Sequence, residues 1–215
     1  MSTITIFYHI AKINNWQLIK NEHEQLLEEI PNSNVIENFL EVDEIDQFEV
    51  PTLHKLWEYA KDKPDDHAVA YIHSKGVSKP KDRLTRRWRE TLNYWVLYKW
   101  ENHIVNLETN DVSGIRYYDF EVEGNRLPHY SGNFWFARCG YIKSLKDPKE
   151  YVQIYEPKFS SKKYGPERYG CEFWIGSGQG KMASIDNQDT AFIKNGNAKM
   201  GRGLHSFKYW KRKYG

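Results

Sequence analysis

Cysteine is scarce: Cys139 and Cys171 are the only two in 215 residues. Two isolated thiols make neither a disulfide framework nor a zinc site, and a reducing compartment is the expectation. No apolar run approaches the ~20 residues of a membrane span. The opening stretch, residues 1–8, lacks a basic region and a cleavage site, so no leader is expected. Charge of one sign is also missing. A net charge of +2 sets up no field that would favour DNA, and the basic end at residues 208–214 reads as a solvated terminus. Familiar catalytic signatures are missing too. There is no P-loop, no Gly-x-Gly-x-x-Gly after the first strand, no Gly-x-Ser-x-Gly elbow and no His-Glu-x-x-His. These absences count against kinases, hydrolases and zinc enzymes.

Aromatic residues, by contrast, are plentiful: 8 Trp, 15 Tyr and 10 Phe make 15% of the chain. They serve cores first, and sugars also stack on them. No repeat or low-complexity tract divides the sequence, so a single domain over 1–215 is expected. Residues 3–9 read as a central strand. Asn14 and Asn15 precede a helix through Trp16, Leu18, Ile19, Leu26, Leu27 and Ile30. A second strand is expected over 35–42, a helix from Thr52, and a third strand over 68–72. This strand–helix alternation predicts an α/β fold with a mixed, largely parallel sheet flanked by helices. A long helix is expected over 84–107. Strands are expected over 114–122 and 129–137, and a looped, Gly-rich region after Pro157.

Three blocks carry candidate chemistry. The first is the strand end Tyr71-Ile72-His73-Ser74-Lys75-Gly76, followed by Arg83, Arg86, Arg87 and Arg89. Such a strand end at the carboxyl edge of a sheet, with a lysine and a glycine, suits a diphosphate. The second is His129-Tyr130-Ser131-Gly132-Asn133-Phe134-Trp135. Here Gly132 suggests close approach of a ligand or another backbone, Asn133 offers donors and an acceptor to hydroxyls, and Trp135 offers a ring face. The third is Glu172-Phe173-Trp174-Ile175-Gly176, where a carboxylate among apolar residues suits a general base.

Taken together and in this order, the blocks resemble small glycosyltransferases of the GT-A type. The nearest likeness is to the glycosyltransferase domain of chlorella-virus proteins that build capsid glycans. A looser one is to bacterial rhamnan-synthesis proteins. The resemblance implies a GT-A-like sheet with a nucleotide-binding half over 1–110 and a sugar and acceptor half over 111–215. The nucleoside would lie at Phe7, Tyr8 and His9. His73, Ser74, Lys75, Gly76 and Arg86 would hold the diphosphate, and Asn133, Trp135 and Trp174 would frame sugar and acceptor. The strand over 68–72 stands where such enzymes carry Asp-x-Asp, which this chain lacks. Lys75 is then the substitute for a metal's charge, or else manganese binds through His73 and His205.

The expected function is transfer of a hexosyl or deoxyhexosyl unit from a UDP-sugar to a glycan hydroxyl. Glu172 would be the base, with inversion favoured over retention. The implied setting is the cytoplasm, that of the host for a virus-encoded chain, with no nucleic acid partner. Membership in a larger multidomain protein is also compatible with the resemblance. The rival expectation is a non-catalytic carbohydrate-binding module using the same aromatics. A third is a nucleic-acid-binding domain using Arg83 to Arg89 with Tyr and Trp stacking, which the near-neutral charge counts against.

Overall fold

The computed structural model describes residues 3–119, 121–122, 125–126, 128–154, 166–185 and 205–214. Strand β1 (Ile4–Ala11) is buried along its whole length. The chain then runs through α1 (Trp16–Leu27), β2 (Ser33–Leu40), a 3-10 turn (Val42–Gln47), α2 (Val50–Lys61) and β3 (Ala68–His73). Next come α3 (Arg83–Leu92), a wide π-type segment (Asn93–Tyr98) and α4 (Trp100–Asn106). The second half holds β4 (Val112–Gly114), β5 (Tyr117–Tyr118), β6 (Glu121–Val122), β7 (Asn125–Arg126), β8 (His129–Tyr130) and β9 (Trp135–Arg138). It ends with α5 (Cys139–Ser144), α6 (Pro148–Ile154), α7 (Pro166–Trp174), β10 (Met182–Ser184) and α8 (Phe207–Tyr214).

Six strands form one sheet in the order β10-β4-β9-β3-β1-β2. Only β9 runs against its neighbours; the other pairings are parallel. This is the expected mixed, largely parallel α/β architecture. Alternation along each strand divides the core into two layers. Ile4, Ile6, Tyr8 and Ile10 of β1, with Ala70 and Ile72 of β3, pack beside Leu27, Trp95 and Trp210. Phe7, Val69, Tyr71 and Trp135 face the other way, onto Leu53 and Leu56 of α2 and Cys171 and Trp174 of α7. The strand order also reverses here. From β1 the chain passes over one face to β2, then over the opposite face to β3 on the far side of β1. In such sheets the crevice at the reversal, beyond the carboxyl ends of the strands, is the place for a ligand.

Several expected elements differ. The 84–107 helix is interrupted, because residues 93–97 are buried without a gap and one face of a regular α-helix cannot hide five successive side chains. The wide turn places them between the sheet and α8, and Leu84, at the start of the expected stripe, is 53% exposed. Leu18 likewise leaves the buried face of α1. The 114–122 strand breaks at Arg116, with φ 57°. The 129–137 strand breaks at Gly132 and Asn133, with φ 93° and 54°, a left-handed pair that no strand accommodates. The Glu172 block is helical, and much of the expected loop region is α7 and α8. Gly165, Gly196, Gly201 and Gly203, expected in loops, lie outside the described residues, as do Phe120 and Gly124.

Three buried histidines give the fold a pH dependence. Burial pulls the pKa of His9 down to about 4, of His23 to about 3 and of His103 to about 4. Burial is the first cause in each case; for His23 the Arg89 guanidinium acts in the same direction. His103 is satisfied while neutral: Nε2 donates to the Trp95 carbonyl (3.0 Å), and Nδ1 lies 2.9 Å from the Ser113 hydroxyl. An unfolded chain takes up protons near pH 6.5 that the folded chain refuses until close to pH 4. The stabilisation is therefore complete above about pH 6.5 and is lost as pH falls toward 4. The urea midpoint is expected to drop by a clearly measurable amount between pH 7 and 5; a flat profile over that interval contradicts the assignment.

Candidate functional site

The carboxyl ends of β1, β2 and β3 open into a cleft. His9 and Ala11 line it from β1, Leu40 from β2, and His73, Ser74, Lys75 and Gly76 from the end of β3. Ile45, Phe48 and Glu49 form a wall before α2. Lys79, Thr85 and Trp88 close the side toward α3.

Local chemistry explains how this edge is built. The Ser74 N–H donates to the His9 carbonyl (2.9 Å), and the Ser74 hydroxyl oxygen accepts the Ala11 N–H (3.0 Å). Ser74 thus ties the two strand ends together. Gly76 has φ 94°, and a Cβ there would lie 2.9 Å from Thr85 Cγ2. Only glycine fits so close to α3 with that backbone. Lys75 is 8% exposed. Its Nζ sits 4.3 Å from the centre of the Trp88 ring and 3.9 Å from Glu172 Oε1. Folding therefore brings the first and third blocks together, with the expected base beside the expected phosphate ligand. His9 lies against Thr52 Oγ1 at 2.8 Å, and its lowered pKa keeps it neutral near pH 7, so it adds no charge to the cleft.

Other expected site residues are placed elsewhere. Phe7 and Tyr8 are fully buried inside the sheet, because β1 runs two residues past His9 and so moves the edge outward. Asn133 is fully buried; it donates to Glu49 Oε2 and accepts the Trp135 indole N–H (2.8 Å). Trp135 and Trp174 are 0% exposed, so neither ring offers a stacking face. The space beside Gly132 is filled by Leu92 and Trp88 rather than by a ligand. Arg86 lies outside the cleft lining, its side chain 56% exposed and 3.7 Å from Glu90. Arg89 is buried behind the turn after β3, donating to the Lys75 carbonyl (3.2 Å) while a two-pronged pair with Glu22 (2.9 and 3.2 Å) takes up its charge. Asp82 caps α3 by accepting the N–H groups of Leu84 and Thr85, so the helix start already has its anion.

The metal expectation meets the same difficulty. His73 Nε2 donates to the Gly132 carbonyl (3.0 Å), and Nδ1 faces Glu49 Oε1 at 3.2 Å. His205 stacks on Tyr209 at 4.0 Å, and its main chain is joined to Thr91 of α3, away from the cleft lining. Among the described residues no three His, Cys, Asp or Glu are grouped to hold a metal ion. The residues present do not fit the manganese site expected at His73 and His205.

A family model for a domain of unknown function, DUF8361, matches residues 11–197. The chain belongs to the DUF8361 family. No curated protein and no solved structure matches it. The part of this DUF8361 chain that matches the family model holds Glu49, His73, Lys75 and Glu172, while His9 and His205 fall outside it.

Sequence reasoning missed Glu49, which stands in the cleft wall. Its signal was Pro51: a proline in the first turn of a helix marks where α2 starts, and so places Glu49 on the loop after β2. Lys79 and Trp88 were also missed as lining residues, since only the turn after β3 brings them to the cleft.

Proposed function

We propose that this DUF8361 chain is a glycosyltransferase that moves a hexosyl or deoxyhexosyl unit from a UDP-sugar to a glycan hydroxyl. The observation that carries the reading is the cleft at the reversal of strand order. It has Lys75, Gly76 and Lys79 on one side, and Glu172 lies 3.9 Å from Lys75. Cations and a glycine turn at a sheet's carboxyl edge suit a diphosphate. The cleft holds about 210 Å³, which suits the diphosphate and an adjoining ring; the rest of the donor would lie along the open mouth.

In the transfer, the acceptor oxygen attacks the anomeric carbon. The bond from that carbon to the diphosphate oxygen breaks, and its electron pair leaves with UDP. The acceptor proton passes to Glu172, and the configuration inverts. Lys75 and Lys79 supply the positive charge that the leaving diphosphate needs. The buried state of Trp135 and Trp174 removes the support for a stacking carbohydrate module. Among the described residues no helix is long and apolar enough to cross a membrane; action in the cytoplasm, a host's for a virus-encoded chain, belongs to this proposal.

Calorimetric titration with UDP tests it, beside a donor screen read by product mass. Lys75→Ala is expected to weaken UDP roughly ten- to hundred-fold, and the exposed Lys79→Ala roughly tenfold. Unchanged affinity in both variants, with the fold intact, overturns the placement.

A further inference from the structure

One carboxylate in the cleft has no part in the transfer step. Glu49 stands at the start of α2, yet its side chain caps none of that helix's N–H groups. It turns the other way. Oε2 accepts a hydrogen bond from the Tyr71 hydroxyl (3.0 Å) and another from Asn133 Nδ2 (2.5 Å). Oε1 lies 3.2 Å from His73 Nδ1. His73 is in turn held by the Gly132 carbonyl and by ring contacts with Tyr71 and Phe134. The Glu49 side chain is 14% exposed and lines the cleft.

Desolvating a carboxylate is costly, and a helix start does not require it. Here that cost accompanies a fixed orientation: β3 and the turn before β9 both grip Oε2. A carboxylate oxygen has two lone pairs, so Oε1 retains acceptor capacity beside His73. An acceptor-only group held still at a cleft wall, in the same cavity as Lys75 and Lys79, suits a ligand that carries hydroxyls next to phosphate.

We propose that Glu49 is the hydroxyl-recognition point of the cleft. Its Oε1 accepts a hydrogen bond from a ring hydroxyl of a phosphorylated sugar or ribonucleoside whose phosphates lie toward Lys75 and Lys79. The proposal rests on the reading above only for the phosphate end. Tyr71 and Asn133 act as positioning residues.

Calorimetric titration of wild type and Glu49→Gln with UDP, 2′-deoxyuridine diphosphate, glucose 1-phosphate and pyrophosphate tests it. Gln keeps an amide oxygen for Tyr71 and Asn133 while removing the charge. The expected result is a loss of roughly ten- to hundred-fold for the ligand whose hydroxyl is read, with pyrophosphate unchanged. If the ribose is read, wild type discriminates against the 2′-deoxy ligand and Glu49→Gln does not; if the hexose is read, glucose 1-phosphate carries the loss. Pyrophosphate bound equally by both proteins, with UDP and glucose 1-phosphate also unchanged, overturns the role of Glu49 alone. No binding of any ligand by wild type overturns both readings. Tyr71→Phe keeps the ring and drops one donor to Oε2. It is expected to weaken the same ligand several-fold and to spare pyrophosphate, and it decides the matter if Glu49→Gln does not fold.

Discussion

Glu172→Gln is expected to bind UDP-sugar as wild type does and to transfer roughly two to four orders of magnitude more slowly, the usual worth of a positioned general base. The substitution keeps the shape of the side chain and removes its capacity to take a proton. Glu172 suits this test because folding leaves its side chain 22% exposed, on α7 between Cys171 and Trp174, which both point into the core. Lys75 Nζ lies 3.9 Å from its Oε1. Binding by calorimetry and turnover by product mass separate the two effects. Turnover within a few fold of wild type makes Glu172 structural and removes the proposed base. A loss of UDP affinity equal to the loss of turnover points instead to the Lys75 contact.

Trp135→Ala is expected to cost roughly 3–5 kcal/mol of stability, the range for deleting a large buried aromatic. The indole is fully buried, stacks on Tyr71 at 5.4 Å between ring centres, lies 6.3 Å from Trp174 and donates to Asn133 Oδ1. Its loss leaves a cavity in the layer between the sheet and α7. It also leaves a buried amide oxygen without its donor, an added penalty. Urea unfolding measures the effect. Trp135→Phe, which refills most of the volume, should recover a good part of it and bind UDP as wild type. A stable Trp135→Ala protein that fails to bind sugar would restore the stacking role that burial argues against.

Both experiments turn on a distinction invisible in a linear chain. Trp135 and Glu172 stand in equally aromatic surroundings, and composition treats both as candidates for a sugar site. In β9, alternation sends Trp135 and Ala137 to one face and Phe136 to the other. Both faces are covered by helices, so neither set meets a ligand. In α7, helical spacing buries Cys171 and Trp174 and leaves Glu172 between them toward Lys75. Reading the block as part of a looped region concealed that spacing. The Gly132-Asn133 pair likewise read as strand, whereas its positive φ values make it the turn that carries Asn133 to Glu49.

By itself, the sequence determined the strand–helix alternation of the first 75 residues, because apolar periodicity is local and strong there. It also located the end of β3 that borders the cleft, since a buried strand that stops at His73-Ser74-Lys75-Gly76 has to leave the core at that point. Tertiary structure alone decided which charges share that edge. Arg86 and Arg89, close in sequence to Lys75, are engaged by Glu90 and Glu22. Glu49 and Glu172, 26 and 97 positions from Lys75 by their numbers, arrive on the segment that leads into the crossover helix α2 and on α7. Contacts across such separations depend on how the two faces of the sheet are covered, and no local spacing of residues encodes that.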